Sequence, residues 1–219
     1  MNTKPTQAAA SRFLVALALL AVLAAAAVWA VVPMLSAGSA SGTLLETQAR
    51  RVAVAEALQR HAQAAAVPLV QLLVSPDREM RVPLYKKIDE ENAAADLALS
   101  ELSSMMSAPQ DKLRLDKVQA LRAHYDELFT ASVEEIELAG AQGALAQFWG
   151  KTKDASAALV QGAVSLLEQE RALLAEARAA SAAAEKELWL RAAAVAAAVV
   201  LAALLGGFLA RGMVRRSPA

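Results

Sequence analysis

The sequence predicts an all-α protein, an up-down-up-down four-helix bundle flanked by two transmembrane helices. Two observations predict this fold class. The chain is rich in alanine and leucine, which are strong helix formers, and no stretch alternates apolar and polar residues as a half-buried strand does. In addition, two long apolar segments lie near the ends, and every acidic residue lies between them, from Glu46 to Glu187.

The two apolar segments predict membrane spans at 13–35 and 191–210, the second of which is uncharged from Ala192 onward. Each is close to the ~20 residues that a helix needs to cross the hydrocarbon core. All charged side chains in the two tails, 1–12 and 211–219, are basic. By the positive-inside rule we expect both tails in the cytoplasm and the middle segment in the periplasm. The predicted localisation is therefore the bacterial inner membrane, with a multi-pass topology.

A cleaved signal peptide is the alternative for the first apolar segment. The small residues of "LSAGSASG", which follow it, are of the type that a signal peptidase recognises. However, the apolar run is longer than the 7–15 residues of a signal-peptide core. The interpretation favoured by the sequence is a retained anchor.

Composition and charge exclude several classes of protein. The chain has no cysteine, so disulfides and thiolate metal sites are impossible. The segment from Glu46 to Glu187 holds 16 basic and 22 acidic residues, a net charge of −6. A nucleic-acid-binding protein needs a concentrated basic face, and this pattern does not provide one.

The middle segment, 36–190, predicts the four-helix bundle itself. Turn signals rich in proline and glycine occur at Ser75–Asp77, Met106–Asp111 and Ala139–Gly143. Between them, apolar and small residues recur in steps of three and four, and small ones such as Gly162 allow close helix packing. The predicted helices are 40–74, 79–107, 110–139 and 143–190.

Three stretches carry a resemblance to a known family: "DREMRVPLYKKIDEENAAADLALSEL", "AEKELWLRAAA" and "ARGMVRRSP". With the helix order, they make residues 12–218 similar to the sensory half of bacterial methyl-accepting chemotaxis proteins. The resemblance implies a homodimer with an interface along helix 1, a small-molecule ligand and membrane or chemotaxis signalling partners. It also implies that the last residues begin a HAMP-like linker and that the output domains are absent from this sequence.

The function expected from this resemblance is a transmembrane sensory receptor that transmits a helix displacement. Two alternatives stay open, the sensor portion of a histidine kinase and a structural or accessory membrane protein without a small-molecule ligand. An enzyme is not expected, because the sequence shows no nucleophile–base constellation and no phosphate-binding glycine loop.

Arg50, Arg51 and Arg60 on helix 1 are the candidate ligand-binding residues. In dimeric receptors of the resembled family, helix 1 lines the subunit interface and binds small anions. A guanidinium forms bidentate hydrogen bonds with a carboxylate, so these arginines would suit such a ligand. The alternative is that they are solvated charges that pair with Glu46 or Glu56 on the same helix.

His61 and His124 are weak candidates for a metal or haem site. Both belong to helical stripes, and the rise per residue predicts similar heights along the bundle. Facing helices of a bundle can hold a metal between such residues. The alternative is that the two histidines are structural or exposed, and we predict no metal and no cofactor.

Overall fold

The structure is a computed structural model that describes residues 42–72 and 74–214, with side chains except at 141–147, 149, 203 and 205–214. Within these residues every regular element is a helix, which agrees with the predicted all-α composition. The elements are α1 (42–72), α2 (Arg78–Met105), α3 (Pro109–Gln147), a π-helical turn (Phe148–Thr152) and α4 (Lys153–Val214).

Contacts between charged and polar side chains establish that consecutive helices are antiparallel. Near one end of the bundle Arg50 of α1 pairs with Glu101 of α2, whereas further along α1 His61 pairs with Glu91. The sequence numbers rise on one helix and fall on the other. The same reversal holds for α2 with α3 and for α3 with α4, in the pairs Arg81–Glu137, Asp96–Arg122, Arg114–Glu170 and Ser132–Thr152. The predicted four-helix bundle is confirmed.

The apolar core follows the helical stripes. Its members repeat at three- and four-residue steps on all four helices, as in α1 with Ala55, Leu58, Ala62, Ala65, Leu69 and Leu72. α3 and α4 approach each other closely at Gly162, because a Cβ atom added there would lie only 2.6 Å from a methyl carbon of Leu121. Glycine at this position therefore allows the two helices to pack closely, as the sequence predicts.

The α3–α4 connection is shorter than the five-residue turn predicted at Ala139–Gly143. Gly140 is the single residue within α3 that departs from helical geometry, with φ of 77°. Glycine adopts positive φ without a Cβ clash, so it can end the first part of α3 there. A π-helical turn, Phe148–Thr152, then precedes α4.

The contacts divide the chain into two compact units. The bundle is one of them and spans Leu44–Ala177. The described part of the other unit consists of residues 42–43 and 178–214, and its side chains include the exposed Trp189 and Leu190.

The predicted transmembrane helices and inner-membrane localisation are wrong for the part of the chain that the structure describes. Within 42–72 and 74–214, no helix combines the length and the apolarity that a membrane crossing requires. The segment 191–210 is nearly free of charge, but alanine supplies much of it, and one methyl group contributes little apolar surface. The other predicted span, 13–35, lies outside the described residues.

Candidate functional site

The three arginines that the sequence nominates as a ligand site lie in different environments. Arg50 is exposed, and its Nη2 lies 2.7 Å from Glu101 Oε1 on α2. Arg60 is exposed on the outer face of α1. Arg51 is buried. The structure therefore does not gather the three guanidinium groups around one site, and only Arg51 lies between helices.

Arg51 connects α1 to both α3 and α4. Its Nη1 lies 2.9 Å from Oδ2 of Asp111, which belongs to the first turn of α3. Its Nη2 donates a hydrogen bond of 2.9 Å to Oε1 of Glu170 on α4. Since the side chain of Arg51 is only 9% exposed, both contacts are largely removed from water.

Glu170 is the most deeply buried charged group of this site. Its side chain has no solvent-accessible surface. Besides the bond from Arg51, its Oε2 accepts a 2.8 Å hydrogen bond from Nε2 of Gln48, one turn earlier on α1. Both bonds are made by α1, so the position of α1 determines how well this carboxylate is paired.

Arg114 completes the cluster from α3. It forms a short hydrogen bond with Asp111, and its Nη2 lies 3.8 Å from Glu170 Oε1. Burial alone would raise the pKa of Asp111, but the hydrogen bonds and charges of Arg51 and Arg114 outweigh it and hold the pKa below its usual value. The N-terminus of α3 also favours a negative charge at this position. Asp111 is therefore an ionised partner of both arginines.

We call Gln48, Arg51, Asp111, Arg114 and Glu170 the ionic network. Its two arginines and two carboxylates balance in charge, but the hydrogen bonding is incomplete. The Nε atoms of Arg51 and Arg114 are buried without a hydrogen-bond partner among the described residues. Arg51 Nε is 2.9 Å from Glu170 Oε2, a distance suited to an ion pair, but the contact does not meet the angular requirement of a hydrogen bond.

Such a network is weak evidence for stability. Removing two charges from water costs several kcal/mol per ion, and well-packed apolar residues in their place are often more stabilising by about 1–4 kcal/mol. The ionic network at this junction therefore contributes directional pairing, which an apolar contact lacks. It joins α1 to α4 through bonds from Gln48 and Arg51 to the same carboxylate.

The sequence contains one signal for the ionic network, a charged residue at a core position of α4. On α4, buried positions recur at Leu159, Ala163, Leu166, Glu170 and Leu174. Glu170 thus occupies a core position of a helix, where a charged residue requires a partner. The partners come from helices distant in sequence, which explains why periodicity alone did not identify them.

The two histidines lie in different environments. His61 is half-buried, and its Nδ1 is 2.7 Å from Glu91 Oε2 on α2. His124 is exposed on α3. Among the residues that the structure describes, no group of three His, Cys, Asp or Glu side chains is arranged to hold a metal ion.

A second polar cluster that sequence reasoning missed lies between α2 and α3. Buried Arg122 pairs with Asp96 at 2.9 Å and with Asp126 at 3.2 Å, and its guanidinium carbon lies 5.7 Å from the centre of the Tyr125 ring. Burial raises the pKa of Tyr125 to about 12. The adjoining groove has a volume of about 500 Å³, but it is an open surface depression, and its charged groups already pair with one another.

Comparison with known proteins does not identify a family. No family model matches this chain, and no curated protein shows significant similarity to it. The resemblance to chemotaxis receptors stays a prediction.

Proposed function

We propose that the bundle is a sensory module of the kind found in bacterial chemotaxis receptors. In this proposal a small ligand or a protein partner binds the bundle and favours a displaced position of α1 relative to α4. The ionic network supports this proposal, because it joins the two helices through buried polar bonds that one displacement would break together. A ligand shifts such an equilibrium only by the difference between its affinities for the two states.

We further propose that the module acts as a homodimer through the outer face of α1. Exposed positions on this helix alternate in steps of three and four, the spacing that allows two helices to pack along a seam. The seam ends in three exposed valines. Its members are Glu46, Ala49, Ala53, Glu56, Arg60, Gln63, Val67, Val70 and Val74.

The same exposed valines favour a second candidate function, an accessory protein that docks on another protein and binds no small molecule. Val67, Val70 and Val74 are 60%, 44% and 78% exposed, so this end of the α1 seam has apolar surface to bury. In that case the output would be assembly and not a helix displacement within the bundle. The two candidates differ in whether the α1–α4 distance responds to a small molecule.

Site-directed spin labels on the full chain can distinguish the two. The chain has no native cysteine, so cysteines introduced at exposed Ala53 of α1 and Ala172 of α4 are the only labelling sites. Ala53 belongs to the α1 seam, so the labelled protein must first be shown by light scattering to keep the oligomeric state of the unlabelled protein. Amino acids, organic acids, amines and sugars are first screened one at a time for a shift in the melting temperature. Double electron–electron resonance is then measured with each active compound, after dilution with unlabelled protein to remove distances between subunits.

The sensory proposal expects an active compound to change the 53–172 distance. A control pair at exposed Ala120 of α3 and Ala172 should not change, because α3 and α4 are closely packed at Gly162. A screen without any active compound, together with a protein that co-purifies only when the three valines are intact, would favour the accessory function. A compound that raises the melting temperature but leaves the 53–172 distance unchanged contradicts the proposed mechanism.

A further inference from the structure

Two arginines from different helices face the same oxygen of Glu170. Arg51 of α1 donates to Oε1 at 2.9 Å, and Nη2 of Arg114 on α3 lies 3.8 Å from that oxygen, just outside hydrogen-bond distance. The side chain of Arg114 is 25% exposed, so it reaches the buried carboxylate from the bundle surface. One partner is therefore bound and the other is adjacent.

A displacement of α1 creates an energetic problem at Glu170. The hydrogen bonds to its side chain come from Arg51 and Gln48, and both residues move with α1. A carboxylate that stays buried after losing its partner is strongly destabilising. Without compensation, the displaced state that the proposed function requires would hardly be populated.

Arg114 has the donors needed to compensate. A guanidinium carries five N–H donors in a planar fork, and Nη2 of Arg114, which donates one N–H to Asp111, is also the nitrogen nearest Glu170 and carries a second N–H. Its Nε is buried without a hydrogen-bond partner among the described residues. Arg114 can therefore keep Asp111 as a partner while a movement of about 1 Å brings it to Glu170, the difference between the two distances above.

We propose that Arg114 is a stand-by partner for Glu170, which takes over the buried carboxylate when Arg51 leaves with α1. The exchange of partners keeps Glu170 paired in both positions of α1. The ionic network would then stabilise two positions of α1 instead of one. This inference rests on the proposed function, since it explains how the displaced state of α1 is made accessible.

The first test is a double-mutant cycle on the full chain, with unfolding by urea followed by circular dichroism. Arg51→Met removes the charged partner that α1 supplies to Glu170 and leaves the hydrogen bond from Gln48 in place. If Arg114 takes over, this variant raises the unfolding equilibrium constant by about 10-fold or less. Adding Arg114→Met to Arg51→Met should then raise it by a further factor of at least about 100, since Glu170 is left in the core without a charged partner. Arg50→Met, at an exposed pair with Glu101, is the matched control and should have little effect.

The inference is wrong if the unfolding equilibrium constant of Arg51→Met alone is already at least about 100-fold higher than that of the parent protein. Arg114 would then not replace Arg51. An additive cycle, in which Arg114→Met has the same effect with and without Arg51, overturns it equally.

A second measurement keeps the inference testable if the double variant does not fold. Arg114→Gln leaves both bonds from α1 to Glu170 in place, so this variant should fold. Its effect should be to remove the displaced state, and the 53–172 distance distribution should become narrower than in the parent protein. Lys112→Gln, at an exposed position of the same turn of α3, should leave the distribution unchanged. A broader or unchanged distribution in Arg114→Gln contradicts the stand-by role.

These experiments use no ligand, so they are independent of the sensory proposal. If a ligand changes the 53–172 distance but the mutant cycle is additive, the sensory proposal stands and Arg114 has no role in the mechanism. If the mutant cycle is coupled but no compound shifts the melting temperature, the partner exchange stands and the sensory proposal is wrong.

Discussion

The two ends of the bundle use different chemistry to hold their helices together. At the network end, α1 is joined to α3 and α4 by the ionic network, with Glu170 fully buried. At the opposite end, which we call the turn end, the junction of α3 and α4 is neutral, although buried Arg81 pairs with Glu137 between α2 and α3. There Ser132 and Thr152 share a hydrogen bond of 2.6 Å, and Phe148 is fully buried.

The turn end is also closed by its connections, whereas at the network end α1 and α4 share no turn. Thr152 donates to the carbonyl of Leu128 at 3.1 Å, so its hydroxyl and that of Ser132 are both satisfied. Arg81 donates to the carbonyl oxygen of Pro76 at 2.9 Å and so ties α2 to the α1–α2 turn. The comparison indicates that the α3–α4 junction at the turn end is held by apolar packing and neutral bonds, whereas charged pairs also join α1 to α2 and α2 to α3. The α1–α4 pair, which no turn joins, is held by charge.

The largest expected effect tests the turn end. Phe148→Ala should lower the free energy of unfolding by about 3–5 kcal/mol, because it removes a fully buried ring at the junction of α3 and α4. The 53–172 spin-label distance should not change, since the ionic network lies at the other end. Urea unfolding and double electron–electron resonance on the same variant check both statements. If the distance shifts, the two ends are not independent and the comparison fails.

An intermediate effect is expected when one charge is removed from the network end. Glu170→Leu should lower the free energy of unfolding by about 3 kcal/mol. This is the lower end of the range for a broken buried pair, because Asp111 still accepts bonds from both arginines. Glu168→Leu, exposed on the same helix, is the matched control and should stay within about 0.5 kcal/mol of the parent.

The double variant Arg51→Met/Glu170→Leu should recover most of that loss in the same urea titration. It leaves the Asp111–Arg114 pair intact and replaces the remaining charges by apolar side chains of similar size. A double variant that is less stable than Glu170→Leu alone would show that the network end is held by packing rather than by charge pairing.

The sequence predicted the helices well because local patterns determine them. The turn signals at Ser75–Asp77 and Met106–Asp111 correspond to the ends of α1 and α2, and α2 was predicted within two residues at both ends. The α3–α4 connection was predicted less accurately. The sequence shows that a break is favoured at Ala139–Gly143, but not that Gly140 alone leaves helical geometry or that a π-helical turn follows.

The site was less predictable, because it depends on contacts between residues far apart in the chain. Arg51 and Glu170 are 119 positions apart, and neither residue type has a local pattern that names its partner. Arg50 and Arg51 are adjacent in sequence, but one is exposed and the other is buried, since successive residues point in directions about 100° apart on a helix. The membrane span predicted at 191–210 is wrong for a different reason, because its length and the arginines that follow it were taken to indicate a crossing, whereas no helix of the described residues has the length and apolarity that a crossing requires.

The smallest expected effect concerns the response of the network end to acid. The folded-state pKa of Asp111 is held below its unfolded value of about 3.9 by Arg51 and Arg114. A carboxyl group with a depressed pKa adds stability above the unfolded pKa and loses it as the pH falls through the folded pKa. Below about pH 4, the free energy of unfolding should therefore fall more steeply in the parent protein than in Asp111→Asn.

The difference in slope has an upper limit of about 1.4 kcal/mol per pH unit, because only one proton is involved. Urea unfolding at half-unit steps from about pH 5 to pH 2 measures it, with Asp116→Asn at an exposed position of α3 as the control. At the turn end desolvation would raise the pKa of Glu137, but the hydrogen bonds from Tyr85 and Arg81 outweigh it and hold the pKa below its usual value. Glu137 is the same in the parent and in Asp111→Asn, so its contribution cancels from this difference. Parallel curves for the parent and Asp111→Asn would mean that Asp111 is not a charged partner of the arginines, and the network end would then depend on the Arg51–Glu170 pair alone.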